Sequence, residues 1–63
     1  MQNLLIYLIE KDSTTLQLLK MYLKELDYVE IVGEGKDLNG NYSNIIKTMP
    51  DVVIADVSND FDK

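Results

Sequence analysis

Leu4-Leu5-Ile6-Tyr7-Leu8-Ile9-Glu10-Lys11-Asp12 opens the chain with six apolar residues and closes the run on two acids flanking a lysine. Six consecutive apolar residues without polar alternation suit a strand covered on both faces, as in parallel sheets. The run is far too short to span a bilayer, which takes about 20 residues. A second run of the same kind, Val52-Val53-Ile54-Ala55, follows Pro50-Asp51 and ends on Asp56.

The sequence between the two runs changes period. Ser13 and Thr14 offer N-cap oxygens, and Leu16, Leu19, Leu23 and Leu26 then recur at helical spacing, predicting a helix from Thr14 to Leu26. Val29, Ile31 and Gly33 alternate with Glu30 and Val32, which predicts a short strand; Gly33, Gly35, Lys36 and Asp37 mark a loop. Leu38, Tyr42, Ile45, Ile46 and Met49 then form one apolar stripe of a second helix, which Pro50 stops. The order is β-α-β-α-β, an α/β pattern implying a parallel sheet with helices on its faces. Two arrangements satisfy right-handed crossovers: strand order 2-1-3, with helices on opposite faces, or an order with the third strand beyond the second.

Composition narrows the chemistry. With 63 residues the chain sits near the lower limit for an independent domain, and it has no Cys and no His. Disulfides, thiolate metal sites and His-based triads are therefore excluded. A net charge of −5 disfavours direct binding to nucleic acid. The first residues lack the positive charge of a signal peptide, so the expected location is cytoplasmic, without membrane insertion. The four-residue run Val52–Ala55 is apolar throughout and would form an exposed edge. The expectation is that chain continues beyond Lys63 or that the protein self-associates.

In open parallel sheets, ligands bind beyond the carboxyl ends of the strands where the order reverses. With order 2-1-3 that crevice gathers Glu10, Lys11 and Asp12 from the first strand and Asp56 from the third. Clustered carboxylates suit a hard divalent cation, and a carboxylate there can attack phosphorus. Glu10-Lys11-Asp12-Ser13-Thr14 has the spacing of a D-x-D-x-T phosphatase motif, but Glu stands where that chemistry needs its nucleophilic Asp.

Residues 4–56 resemble the first half of a response-regulator receiver domain. The segments that carry the resemblance are LLIYLIEKD, the helix beginning after Ser13, VEIVGEG, a second helix of matching length, Pro50-Asp51 and VVIAD. The resemblance implies a flavodoxin-like fold with strand order 2-1-3 and helices on both faces, residues 1–63 being its N-terminal half. It places Asp56 at the phosphoacceptor position and Glu10 at the first position of the acidic pair that helps hold Mg²⁺. Asp12 is an alternative donor, and the Ser58 backbone carbonyl takes the third ligand role. Lys11 stands where the family has a metal-ligating Asp; an ammonium there opposes metal and would act as its surrogate. The family's Met-Pro pair after the phosphoacceptor is replaced by Ser58-Asn59-Asp60. The implied partners are a histidine kinase and a following effector domain. The departures resemble atypical receivers that act as interaction or dimerisation modules, including those joined to partition-type ATPases in pilus assembly.

Overall fold

The computed structural model describes residues 3–55. In chain order the elements are β1 (Leu4–Ile9), α1 (Ser13–Lys24), β2 (Val29–Gly35), α2 (Leu38–Thr48) and β3 (Val52–Ala55). The three strands are parallel and lie in the order β2-β1-β3. Of the two arrangements open from the strand pattern, the structure takes 2-1-3, the order of a flavodoxin-like α/β unit.

β1 is central, and its composition explains why. Ile6, Tyr7, Leu8 and Ile9 are all buried, so both faces of the strand are covered. Side chains alternate across a sheet, so Ile6 and Leu8 share one face and Tyr7 and Ile9 the other. On the first face, Ile6 and Leu8 pack with Leu16 of α1, and Leu19, Leu23, Val29, Ile31 and Ile54 border this cluster. On the opposite face the Tyr7 hydroxyl donates to Asn41 Oδ1 of α2 at 2.7 Å. The two helices therefore cover opposite faces.

β2 holds an irregularity that the alternation of its sequence conceals. Ile6 pairs with Ile31, but Tyr7 pairs with Gly33, so Val32 is an extra residue against β1. Such a bulge reverses the facing of everything after it. Gly33 therefore joins Tyr7 on the α2 face instead of sharing a face with Val29 and Ile31. Glu34 joins Leu8 on the α1 face, where its carboxylate meets Lys20 Nζ at 2.8 Å. Gly33 and Gly35, expected to mark a loop, lie within the strand. They are needed for close approach: a Cβ on Gly33 would overlap the Tyr7 ring, and one on Gly35 would overlap the Asn41 amide.

The helix ends also differ from expectation. Asp12, not Ser13 or Thr14, is the N-cap of α1, and the helix closes at Lys24 instead of Leu26. A carboxylate reaches the backbone N–H of the third residue ahead, which leaves Ser13 free to enter the first turn. α2 is capped by Asp37, whose Oδ1 accepts the Gly40 N–H at 2.5 Å. It ends on Met49 in the left-handed region (φ 49°), with the Met49 N–H returned to Ile45 O at 3.1 Å. Pro50 disfavours helical backbone at the residue before it, and this forces the helix to stop there.

The larger correction concerns which side of α2 faces inward. The half-buried positions are Asn41, Ile45 and Thr48. Of the apolar stripe read from the sequence, only Ile45 is among them; Leu38, Tyr42, Ile46 and Met49 are exposed. The Tyr7 hydroxyl draws Asn41 inward, and the two glycines let the helix backbone come close.

β3 joins β1 through Asp51. The Asp51 N–H donates to Leu5 O at 2.8 Å, and Asp51 Oδ2 accepts the Leu5 N–H at 2.8 Å. Two bonds to one residue set the register Ile6–Val52 to Ile9–Ala55. The outer edge of β3 carries half-exposed Val52 and Val53, one on each face.

Candidate functional site

The carboxyl ends of β1 and β3 lie side by side, because Ile9 pairs with Ala55 and the residues that follow them are Glu10 and Asp56. This is the point at which the strand order reverses, where open α/β sheets place their ligands.

Glu10 is the only buried charged residue among those described, at 5% exposure. Its backbone N–H donates to Gly35 O at 2.9 Å, which extends the β1–β2 ladder by one bond. Its Oε2 accepts the Asp12 N–H at 3.1 Å. Burying a carboxylate is expensive unless a charged partner offsets it, and no ion pair to Glu10 occurs among the described residues.

Asp12 has a different environment. Its Oδ2 accepts from Thr15 Oγ1 at 2.7 Å and from Thr15 N–H at 2.9 Å. The hydroxyl bond, and after it the backbone bond, hold the Asp12 carboxyl below its ordinary value, so it stays anionic at neutral pH. Asp12 is thus an N-cap first. The spacing Asp12-x-x-Thr15 is the sequence signal for this role.

Lys11 lies between the two acids and is exposed. The structure therefore brings Glu10, Lys11 and Asp12 to one strand end. Asp56 and Ser58, the remaining site residues expected from the sequence, lie outside the described residues.

For Mg²⁺, which requires about six oxygen donors, the described residues offer two carboxylates, each already accepting a backbone N–H. No group of three or more acidic, His or Cys side chains among the described residues is placed to hold a metal ion. The described residues alone do not make a cation site.

Asp51 and Asn41 have structural roles that the sequence pattern does not by itself reveal. Asp51 belongs to a segment that carries the resemblance but has no assigned role there, and it clamps β3 to β1 at the end of the sheet remote from Glu10. Asn41 links Tyr7 to the Asp37 carbonyl, to which its Nδ2 donates at 2.8 Å. Its signal was a polar residue at the i+4 position from the Asp37 cap.

The fold and the strand-end acids define a flavodoxin-like α/β unit with an acidic switch point. Compared with family models, with curated proteins and with solved structures, the chain gives no match. No helix among the described residues is long and apolar enough to cross a membrane.

Proposed function

We propose that the chain is a receiver-type signalling module of the cytoplasm in which Asp56 accepts a phosphoryl group from a histidine kinase. The observation that carries this is the pairing of Ile9 with Ala55, which makes Glu10 and Asp56 successors of adjacent strand ends at the switch point. In the transfer, a carboxylate oxygen of Asp56 bonds to phosphorus as the P–N bond of the donor phosphohistidine breaks. The electron pair leaves with the imidazole, and the product is an acyl phosphate. Glu10, Asp12, Asp56 and the Ser58 carbonyl are the proposed holders of Mg²⁺, which would neutralise charge on the transferring group. Glu10 Oε2 and Asp12 Oδ2 carry the present hydrogen bonds, and the second oxygen of each carboxylate is the proposed donor. A following effector domain would read the result.

The test is incubation with acetyl phosphate and Mg²⁺, followed by mass spectrometry. A gain of one phosphoryl group that Asp56→Asn abolishes supports the proposal. No gain in the wild-type chain defeats it.

A second reading is favoured by Lys11 and by the capping role of Asp12. Here the chain is a non-phosphorylated interaction or dimerisation module, one setting being the N-terminal side of a partition-type ATPase in pilus assembly. The Lys11 ammonium stands in for the metal and holds one conformation. Lys11→Asp should then create Mg²⁺ affinity that the wild type lacks, measured by calorimetry. Equal affinity in both chains would count against this reading.

A further inference from the structure

Gly40 is the one glycine of the chain that lies inside a helix, and the Asp37 cap accounts for it. A Cβ there would come within 2.8 Å of Asp37 Oδ1, the oxygen that accepts the Gly40 N–H. The tight cap therefore favours glycine at the third position of α2. The residue before it is Asn39, which is exposed. Among the asparagines of the chain, Asn39 alone is followed by glycine. Without a Cβ, glycine leaves its backbone nitrogen least hindered for attack on the preceding side chain.

We propose that Asn39 is a site of spontaneous deamidation and that the docking of α2 on the sheet sets its rate. In the reaction the Gly40 amide gives its proton to hydroxide, and its nitrogen bonds to Asn39 Cγ. The side-chain amide group leaves as ammonia, taking a proton from water, and a cyclic imide closes. Water then opens the imide. Cleavage of the new C–N bond gives aspartate. Cleavage of the original peptide bond gives isoaspartate, whose main chain runs through the former side chain and is one methylene longer.

Two features of the folded chain oppose the first step. The Gly40 N–H is engaged by the Asp37 carboxylate, which resists loss of the amide proton. Helical rotamers aim a side chain back toward the N-terminus, away from the nitrogen that follows it. Both obstacles vanish when the first turn of α2 opens. That opening is easy, because α2 has no buried residue and its hydrogen bond to the sheet is the one from Tyr7 to Asn41. The isoaspartyl product lengthens the chain between Asp37 and Asn41. It puts the cap and the Asn41 bond to the Asp37 carbonyl out of register.

The test is incubation of the whole chain at mildly alkaline pH, with and without urea. Peptide mapping by mass spectrometry locates the gain of one mass unit, chromatography separates the two isomers, and circular dichroism establishes that each variant folds. The native chain should convert at Asn39 about 10–100-fold more slowly than the chain in urea. Tyr7→Phe changes nothing near Asn39 in sequence, so its rate in urea should equal that of the wild type. Its native rate should rise about 3–5-fold, because α2 loses its anchor. Asp37→Ala removes the cap and should raise the native rate, relative to its own rate in urea, by about 3–10-fold. Asp37→Ser keeps a capping oxygen and should stay nearer the wild type. A native chain that converts as fast as the chain in urea overturns the inference. So does a native chain unchanged at Asn39 when the urea sample has converted fully, or native rates that neither Tyr7→Phe nor Asp37→Ala alters.

Discussion

The two faces of the sheet are built by opposite rules. On the α1 side the contact is apolar: Leu16 sits on Ile6 and Leu8, bordered by Leu19 and Leu23. On the α2 side it is polar and close: Tyr7 reaches Asn41, and glycines at 33 and 35 remove the Cβ atoms that would keep the helix away. Both helices have an apolar stripe, but only α1 buries it. A helical period reports that a stripe exists and leaves open which side the tertiary structure covers.

This contrast makes substitutions on the two faces behave differently. The largest effect is expected on the α1 side. Leu16→Ala removes the one buried residue of its helix and should cost about 2–4 kcal/mol. In so small a domain that would abolish a cooperative urea transition, and an undiminished midpoint would show that the α1 face is not the core. Next is overpacking on the α2 side. Gly33→Ala drives a methyl into the Tyr7 ring and should cost about 1–3 kcal/mol in urea unfolding, despite alanine's better intrinsic strand behaviour.

Tyr7→Phe should cost about 1 kcal/mol, because Asn41 Oδ1 loses its donor in a half-buried setting. Pairing it with Asn41→Leu should recover much of that loss, since two apolar partners leave nothing unsatisfied. Additive losses in the double mutant would mean that the two residues act independently. Smaller still, and of opposite sign, Met49→Gly should stabilise by about 0.5–1 kcal/mol, because glycine tolerates the left-handed backbone that Met49 adopts.

The last effect is a pH dependence confined to α1. The carboxyl of Asp12 is held low by the Thr15 hydroxyl and N–H, so the unfolded state binds its proton first on acidification. Its contribution is complete above the ordinary carboxyl range and is lost as pH falls through the lowered value, below about pH 4. Helical circular dichroism should show an acid-induced fraying that Asp12→Asn removes. An unchanged acid limb in the Asn variant would separate the cap from the titration.

Much of this was legible before any coordinates. The strands β1 and β3 match their apolar runs to the residue, and the helices match to within a residue or two. The gathering of Glu10, Lys11 and Asp12 at one strand end also follows from the pattern together with the switch-point rule. The larger departures from the sequence pattern lie on the α2 side, and those on α1 are confined to its ends. The Val32 bulge is invisible in sequence because it is a mismatch between two strands and not a property of either. Its consequence, Gly33 turned toward Tyr7, made a strand segment look like a loop.

What the sequence determined by itself was local: where strands and helices lie, where Pro50 stops a helix, and which acids end β1. These follow from hydrophobic period, capping chemistry and backbone sterics, all of which act within a few residues. What only the tertiary structure decided was relational. Strand order 2-1-3 was implied by the family resemblance but left open by the strand pattern, and the reversed facing of Gly33 and Glu34, the clamp of Asp51 on Leu5 and the outward stripe of α2 depend on contacts between residues far apart in the chain. Such contacts are chosen by the joint satisfaction of buried polar groups and close packing, which no single segment encodes.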